Sequence, residues 1–325
     1  MLVLGIESSA HTFGAGVVEA GKVLSNKKAM YEIGTSGMIP KKVAEHHILN
    51  ANEVIASALS GAGVSVADIE GIAYTKGPGI GSCLQIGQLA AKTLAKKLGI
   101  PIVPVNHGIG HIEIARIMAN LADPVALYVS GGNSQILKID AHGKAHYRVL
   151  GETFDIGIGN MLDNFARAAG LNPAWGSSVE RQAQGGSYIS MPYTVKGMDF
   201  SFTGILTHAQ RQLKLHTKRD VCFSLQETSF SMLCEATERA LLLTRSDEIC
   251  VCGGVAQNSR LKEMLAIVAK DHGARIGYAA NEFNADNGAM IAFVGERMLS
   301  RGIKASLSKC TIEQRYRIDS AEVVR

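Results

Sequence analysis

The chain has 325 residues, of which 46% are hydrophobic, 35 are glycine and seven are proline. This length and composition suffice for two packed domains and exclude a disordered or collagen-like chain. A net charge of +4 permits a nucleic-acid partner without demanding one. The six cysteines form no CxxC pair, which favours buried thiols in a reducing compartment over disulfides or a zinc cluster. We find no leader peptide and no apolar run as long as a membrane span, and we therefore expect a cytoplasmic protein without a membrane partner.

Two strand–turn–strand segments suggest that the chain has two similar halves. Residues 3–21 predict an apolar strand, a short polar turn and a second strand of small residues, and residues 125–140 repeat this order. The elements predicted around them are a helix over 43–63, strands at 72–75 and 102–105, a helix over 84–98, a strand–turn–helix unit over 248–270 and a last helix over about 287–301. This alternation predicts an α/β protein. We expect an N-terminal lobe over 1–122, onto which residues 300–325 pack back, and a C-terminal lobe over 123–299.

Glycine-rich turns join several of these strands to the next strand or helix. Backbone N–H groups in such turns, and at helix N-termini, favour phosphates. None of the turns matches the P-loop pattern, and each one alone is an ordinary turn. Two similar hairpins together with the later turn GGVAQNS, which opens a helix, suggest a nucleotide held in a cleft between two lobes.

His107 and His111 in VNHGIGHIEIAR lie one helical turn apart, at a spacing that suits one metal ion. A zincin peptidase needs a glutamate directly after the first histidine, but this chain has Gly108 there, and the nearby Glu113 follows the second histidine. The alternative is a histidine pair at a lobe interface. The expected third ligand is Asp286, which precedes an apolar helix and could instead cap it. Tyr128 could add a phenolate oxygen.

Other polar residues fit either binding or plain solvation. Asp163 and Arg167 are one turn apart, as in an ordinary surface ion pair. Glu180 could accept the hydroxyls of a ribose or be a solvated loop acid. Basic residues gather at 207–220 and at 92–97, either as a solvated face or as a footprint for an RNA backbone.

Nine motifs together carry a resemblance to a known family. They are GIESSAHT, SGMIPKKVAEHH, YTKGPGIGSCLQIG, VNHGIGHIEIAR, LYVSGGNSQ, GNMLDNFARAAGL, DFSFTG, CGGVAQNSRL and ADNGAMIA. Over nearly its whole length the chain resembles the TsaD/Kae/Gcp family, the transferases that make N6-threonylcarbamoyladenosine in tRNA. The tail EQRYRID (313–319) is similar to the archaeal and eukaryotic branch, whose members work in the KEOPS assembly.

The resemblance implies a fold and a set of ligands. The fold is that of the actin, sugar-kinase and heat-shock ATPase superfamily, with two similar α/β lobes around a nucleotide cleft. The metal is one Fe²⁺ or Zn²⁺ per subunit, held by His107, His111 and Asp286, with Tyr128 as a further ligand. The nucleotide is ATP or threonylcarbamoyl-AMP. Its implied contacts are Tyr128, Val129, Ser130, Gly131 and Gly132 around the phosphate, Asp163, Gly176 and Glu180 around the ribose, and Asn258 at the adenine.

The activity implied is transfer of the threonylcarbamoyl group from threonylcarbamoyl-AMP to N6 of the adenosine that follows the anticodon in tRNAs reading ANN codons. The implied partners are tRNA and KEOPS-type subunits, including a small dimerising subunit and a small protein kinase that is fused in some archaeal members. The chain departs from the family at 173–177, where Trp175 adds bulk beside the ribose site. The alternatives are a regulatory ATPase of the same fold, a metallopeptidase and a non-enzymatic scaffold or DNA-binding protein.

Overall fold

The computed structural model describes residues 1–32, 38–140 and 145–324. The motif at 36–47 therefore begins two residues outside the described part. Contacts between Cα atoms group the described residues into two compact units. The first unit comprises 1–114, 145–147 and 285–324, and the second comprises 115–140 and 148–284. Strands and helices alternate along the chain, which confirms the predicted α/β class.

The elements are numbered in chain order. The strands are β1 (Leu2–Glu7), β2 (Thr12–Glu19), β3 (Lys22–Met30), β4 (Gly71–Gly77), β5 (Ile102–Asn106), β6 (Val125–Val129), β7 (Ser134–Asp140), β8 (His146–Glu152), β9 (Val195–Lys196), β10 (Asp199–Phe200), β11 (Glu248–Cys252) and β12 (Arg275–Tyr278). The helices are α1 (Pro40–Ala62), α2 (Gly81–Leu98), α3 (His107–Met118), α4 (Ile158–Ala168), α5 (Gly176–Ala183), α6 (Thr203–Gln212), α7 (Lys218–Thr244), α8 (Ser259–Asp271), α9 (Asn281–Asn284) and α10 (Gly288–Ser300).

Each unit contains one five-stranded mixed sheet, and the two sheets share a strand order. In the first unit the order is β3-β2-β1-β4-β5, with antiparallel pairs among β1 to β3 and parallel pairs from β1 to β4 and β5. In the second unit it is β8-β7-β6-β11-β12, where β6 pairs antiparallel with β7 and parallel with β11. The two strand–turn–strand segments predicted to start similar halves are thus β1–β2 and β6–β7.

The predicted helices and strands lie where the sequence pattern placed them, with ends shifted by a few residues. α1 stops at Gly63, whose left-handed backbone (φ 69°) ends the helix as the sequence predicted. α8 buries Leu261 and Leu265, two of the four residues predicted for its apolar face. No helix in the described ranges combines the length and the apolar character that a membrane span requires.

Helix α10 packs on the sheet of the first unit through glycines. A Cβ atom on Gly5 would lie 2.1 Å from the backbone nitrogen of Ala292, and one on Gly16 would lie 2.3 Å from that of Ala289. Only glycine at these two contact points lets the helix come so close. The contacts place residues 285–299 in the first unit for this reason, whereas the sequence-based division put them in the second lobe. The division at 122 and 299 remains a proposal.

Candidate functional site

Strand β5 leads directly into α3, and Asn106 makes this tight junction possible. Its side-chain oxygen accepts hydrogen bonds from the backbone N–H groups of Gly108 (2.9 Å) and Ile109 (3.2 Å), which caps the helix. The helix can therefore begin at His107. His107 and His111 lie one turn apart with ring centroids separated by 4.7 Å, and both are buried.

Asp286 meets the two histidines from the other end of the chain. Its Oδ1 lies 3.5 Å from Nε2 of His107 and 3.3 Å from Nε2 of His111. The cap of α10 is Asn287, whose side chain accepts from the N–H of Met290 (2.9 Å). Asn287, and not Asp286, therefore caps α10. The carboxylate of Asp286 faces the histidines.

Glu7, at the end of β1, supports this group from behind, and sequence reasoning missed it. Its Oε2 lies 3.0 Å from Nδ1 of His107 and accepts a hydrogen bond from the Thr75 hydroxyl (2.6 Å). Its Oε1 accepts from the N–H of Ser9 (2.6 Å), and the residue has no exposed surface. A carboxylate on the far nitrogen of a histidine fixes the ring and its tautomer, as it does behind many metal-bound histidines.

The electrostatics of this group depend on burial and on the opposing charges. Burial alone would lower the pKa of His107, but the carboxylates of Glu7 and Asp286 raise it to about 9. Burial lowers the pKa of His111. Burial would raise the pKa of the Asp286 and Glu7 carboxyls, but the neighbouring histidines, His107 foremost, hold both below their usual values. Two carboxylates and one charged imidazole thus leave this cluster with a net charge of −1, which suits a cation.

The residues present fit a divalent metal ion. One donor atom from each of His107, His111 and Asp286 can be chosen so that all lie within 4.8 Å of one another. Two imidazole nitrogens and one carboxylate oxygen suit zinc or iron. Glu7 supplies the outer carboxylate that such sites use to orient a histidine.

Glu113 does not lie where a peptidase would need its base. It is 1% exposed and accepts a hydrogen bond from the Tyr147 hydroxyl (2.6 Å). Arg297 lies 3.8 Å from its other oxygen. This carboxylate is engaged in the interior of the first unit, and the zincin position holds Gly108, which has no side chain.

The predicted phosphate-binding turn lies in the second unit, between β6 and β7. Three glycines pack against its backbone: Cβ atoms on Gly157, Gly159 and Gly253 would come within 2.3–2.8 Å of backbone atoms of residues 129–131. In contrast, Cβ atoms on Gly132 and Gly254 would meet nothing within 4 Å. The glycine-rich turns of three separate motifs therefore come together, and one side of them is open.

The N-terminus of α4 is not a free anion site. The N–H groups of Gly159 and Asn160 donate to the carbonyls of Ser130 (3.1 Å) and Gly131 (3.0 Å). The N–H of Ile158 donates to the Ser134 hydroxyl (2.8 Å). These bonds fix the shape of the turn, and they consume the amides that a phosphate would otherwise accept from this helix.

Of the three predicted ribose residues, all in the second unit, Asp163 and Gly176 contact each other, and Glu180 contacts Ser259 instead. Asp163 accepts from the N–H of Gly176 (2.7 Å), just after the half-buried Trp175. Glu180 lies in α5 and not in a loop, which was one of the two alternatives, and it accepts from the N–H of Ser259 (2.8 Å).

Two further predicted contact residues have clear structural positions. The Asn258 side chain caps α8 by accepting from Arg260 (3.0 Å) and Leu261 (3.1 Å), and its amide donates to Gln226 (3.2 Å). Tyr128 is a fully buried residue of β6 in the second unit. Its assignment as a metal ligand stays a prediction, as do all assigned nucleotide contacts.

Comparison with known proteins places the chain in a family. Residues 18–293 match the TsaD family, described as tRNA N6-adenosine threonylcarbamoyltransferase. The chain belongs to this family. The tRNA N6-adenosine threonylcarbamoyltransferase of Metallosphaera sedula is 43% identical over 330 residues, which cover 99% of each chain. The resemblance drawn from the nine motifs is confirmed.

Two further likenesses concern length and fold. A protein of Thermoplasma volcanium named "Probable bifunctional tRNA threonylcarbamoyladenosine biosynthesis protein" is 45% identical over 99% of this chain, which spans 61% of that relative's length. The crystal structure of HypF from T. kodakarensis covers 93% of this chain and is covered over 48% of its own length, with 15% identity and a TM-score of 0.63. Such neighbours have the actin-like ATPase fold, which confirms the predicted fold.

Proposed function

We propose that this protein transfers the threonylcarbamoyl group from threonylcarbamoyl-AMP to N6 of the adenosine 3′ to the anticodon in tRNAs that read ANN codons. Membership of the transferase family supports the reaction. The structural observation that carries the proposal is the buried group of His107, His111 and Asp286, with Glu7 behind it. A structural scaffold alone would not need two histidines and Glu7 buried around a partly exposed Asp286.

The reaction is an acyl transfer. The N6 lone pair attacks the carbamoyl carbon, a C–N bond forms, and the bond from that carbon to the phosphate oxygen breaks as AMP leaves with the electron pair. One proton passes from N6 to the surrounding water. AMP is a good leaving group, so the protein's main task is to orient the two reactants.

The metal proposed for the first unit is one Fe²⁺ or Zn²⁺ per subunit. When bound, it would supply a Lewis acid and a template for oxygen atoms of the substrate. His107, His111 and Asp286 would hold it. Glu7 lies against Nδ1 of His107, so Nε2, which faces Asp286, would be the nitrogen that binds the ion.

The second unit would bind the nucleotide part. The open side of the turn at Gly132 and Gly254 offers room for a phosphate and the carbamoyl group beside backbone amides. The pair of Asp163 with Gly176, and Glu180 in α5, would hold the ribose, with Asn258 nearer the adenine. Trp175 stands at the start of α5, so it would form one wall of this part of the site.

The proposed setting is a KEOPS-type complex in the cytoplasm, with tRNA, a small dimerising subunit and a small protein kinase. The names of two relatives support a second domain or partner: both are called bifunctional, and the chain spans 61% and 60% of their lengths. The exposed basic residues on α6 and α7 supply charge for tRNA.

The test is a reconstituted transfer assay. It combines the protein, its candidate partner subunits, unmodified tRNA that reads an ANN codon, and threonylcarbamoyl-AMP, followed by nucleoside analysis. We expect the modified adenosine with the wild-type protein and a loss of at least about 100-fold with His111→Ala. His272→Ala removes a surface histidine that pairs with Glu238 (2.6 Å) and is the matched control.

The outcomes separate the alternatives. Full activity of His111→Ala would contradict the metal-centred site. Release of AMP without modified tRNA would support the nucleotide site but would mean that the acceptor is not this adenosine. ATP hydrolysis without any transfer would favour the regulatory ATPase of the same fold.

A further inference from the structure

The end of the described chain crosses the first unit beside the metal ligands. We call residues 310–319 the strap. It is anchored near its start, where the Tyr74 hydroxyl donates to the Thr311 carbonyl (3.0 Å) and Gln88 donates to the Cys310 carbonyl (2.6 Å). The strap contains EQRYRID, a motif that the proposed chemistry does not use.

The middle of the strap is bonded to the end of β4 and to the loop that follows it. The N–H of Glu313 donates to the Lys76 carbonyl (2.8 Å), and the N–H of Gly79 donates to the Gln314 carbonyl (3.1 Å). Lys76 also pairs with the Glu313 carboxylate (3.0 Å) and lies 4.1 Å from the centre of the Tyr316 ring. These contacts join strap and loop through backbone and side chains alike.

Gly77, the last residue of β4, shows how closely the strap lies against this strand. A Cβ atom there would be 1.9 Å from the carbonyl oxygen of Glu313, a distance that no side chain tolerates. The glycine-rich sequence KGPGIGS therefore has a reason other than phosphate binding. Its first glycine, Gly77, leaves room for the backbone of the strap.

Asn106 joins the far end of the strap to the metal-binding helix. Its Nδ2 donates to the carbonyls of Tyr316 (3.1 Å) and Arg317 (3.4 Å), while its Oδ1 caps the first turn of α3. The side chain is 3% exposed. One buried amide thus holds the strap with one end and the turn that contains His107 with the other.

The two attachment points frame the pair of Glu7 and His107. Lys76 directly follows Thr75, whose hydroxyl holds Glu7, and Asn106 directly precedes His107. A shift of the strap would move both the residue that supports the carboxylate and the turn that presents the imidazole. Residues that do not bind the metal themselves, but hold a metal ligand in place, affect how tightly the metal binds.

We propose that the strap is a positioning element of the metal centre, with Asn106 as the positioning residue that couples it to His107. This inference rests on the proposed metal site. It assigns a role to the tail motif and to KGPGIGS beyond holding the chain end in place.

The first test uses Asn106→Asp in the full chain. Aspartate keeps the oxygen that caps α3 but loses the amide that donates to the strap, and its charge faces two carbonyl oxygens. We expect faster tryptic cleavage at Arg315 and Arg317, faster hydrogen exchange in the first turn of α3, and about tenfold weaker binding of Co²⁺ followed by its visible absorption.

The second test moves the strap without touching α3. Gly77→Ala places a methyl group against the Glu313 carbonyl, and Gly99→Ala is its control. Gly99 also has a positive φ (69°), but a Cβ atom there meets nothing within 4 Å. We expect Gly77→Ala to weaken Co²⁺ binding as Asn106→Asp does, and Gly99→Ala to lower only the melting temperature.

The results distinguish a strap that positions the metal ligands from a strap that is only attached to the first unit. Faster cleavage of the strap with unchanged Co²⁺ affinity and unchanged exchange in α3 would overturn the proposal, as would equal Co²⁺ affinities for Gly77→Ala and Gly99→Ala. If the wild-type protein binds no Co²⁺, the proposed metal site fails. Exchange in the first turn of α3 then decides alone whether the strap positions the helix.

Discussion

At the scale of single residues, Glu7 is the side chain whose role is easiest to test. It sits behind His107 and takes no place among the three candidate ligands. We expect Glu7→Gln to keep the shape of the contact but lose the charge that stabilises the metal-binding tautomer. Affinity for Co²⁺ should fall about tenfold, measured by titration against a competing chelator.

The control for this change is Glu19→Gln, at an exposed glutamate that ends β2 in the same sheet. It should bind Co²⁺ like the wild type. Equal affinities for Glu7→Gln and the wild type would mean that hydrogen bonding alone, without charge, orients His107.

His47 makes the stability of the first unit depend on pH. Burial lowers its pKa to about 4, with help from the charge of the adjacent His46, while Glu7 acts in the opposite direction and His11 adds to the lowering. A backbone hydrogen bond with Ala10 also opposes the lowering. Between pH 6.5 and pH 4 the unfolded chain binds more protons at this residue than the folded chain, so stability is lost as the pH falls.

We therefore expect His47→Gln to remove about 2 kcal/mol of the fall in unfolding free energy between pH 7 and pH 4.5. Urea denaturation at several pH values measures it, and His216→Gln, at an exposed histidine, is the control. A curve for His47→Gln parallel to that of the wild type would show that His47 has the same pKa in the folded and the unfolded protein.

The residues of the metal group differ in how far the sequence could predict them. His107 and His111 were predictable because helical spacing puts them on one face. Asp286 came from the resemblance and from its place before an apolar helix. Glu7 was not predictable, because an acid that ends an apolar strand looks like the first exposed residue of a turn. Only the fold, which brings β1 beside β4 and next to the start of α3, shows that it is buried.

At the scale of elements, glycines decide how α10 carries Asp286. Gly5 and Gly16 have no Cβ atom at the points where α10 meets the strands, and Gly288 lies against the backbone of Ala15. We expect Gly16→Ala to force α10 away from the sheet and to cost about 3 kcal/mol of unfolding free energy. Because Asp286 immediately precedes α10, the same change should weaken Co²⁺ binding.

The control is Gly204→Ala in α6, where a Cβ atom meets nothing within 4 Å. That change should stabilise the protein by about 0.5–1 kcal/mol, since alanine is the better helix former. Urea denaturation compares the two. A stable Gly16→Ala protein with normal Co²⁺ affinity would mean that the helix can shift without disturbing Asp286.

Strands and helices followed from the spacing of apolar residues, but the purpose of the glycines did not. Their abundance predicted many tight turns. Several instead serve close packing of helix on sheet or of one turn on another, as Gly16 and Gly253 do. Composition cannot separate these uses, because a glycine in a strand face and a glycine in a turn are identical until the partner backbone is known.

At the scale of the whole molecule, the likeness of the two halves was predictable, while the assembly of each unit was less so. Both halves begin with a hairpin, and both sheets continue with parallel strands on its far side. The return of residues 285–324 to the first unit depends on contacts between distant parts of the chain. Local pattern carries no information about such contacts.

The charge of the molecule leads to the last prediction. Arg211, Lys214 and Arg219 are exposed on and between α6 and α7, and they belong either to a solvated face or to a tRNA footprint. If they contact phosphates, replacing all three by alanine should weaken tRNA binding and reduce the slope of log K against log salt by about 2, because fewer counterions are released.

The matched control replaces Lys22, Lys27 and Lys28, three exposed lysines on β3, and removes the same charge. Filter binding across a salt series measures both slopes. Equal slopes for the two variants would identify the α6–α7 cluster as a solvated face, since net charge alone acts on both alike, whereas a lower slope for the α6–α7 variant alone would place the tRNA backbone on the second unit.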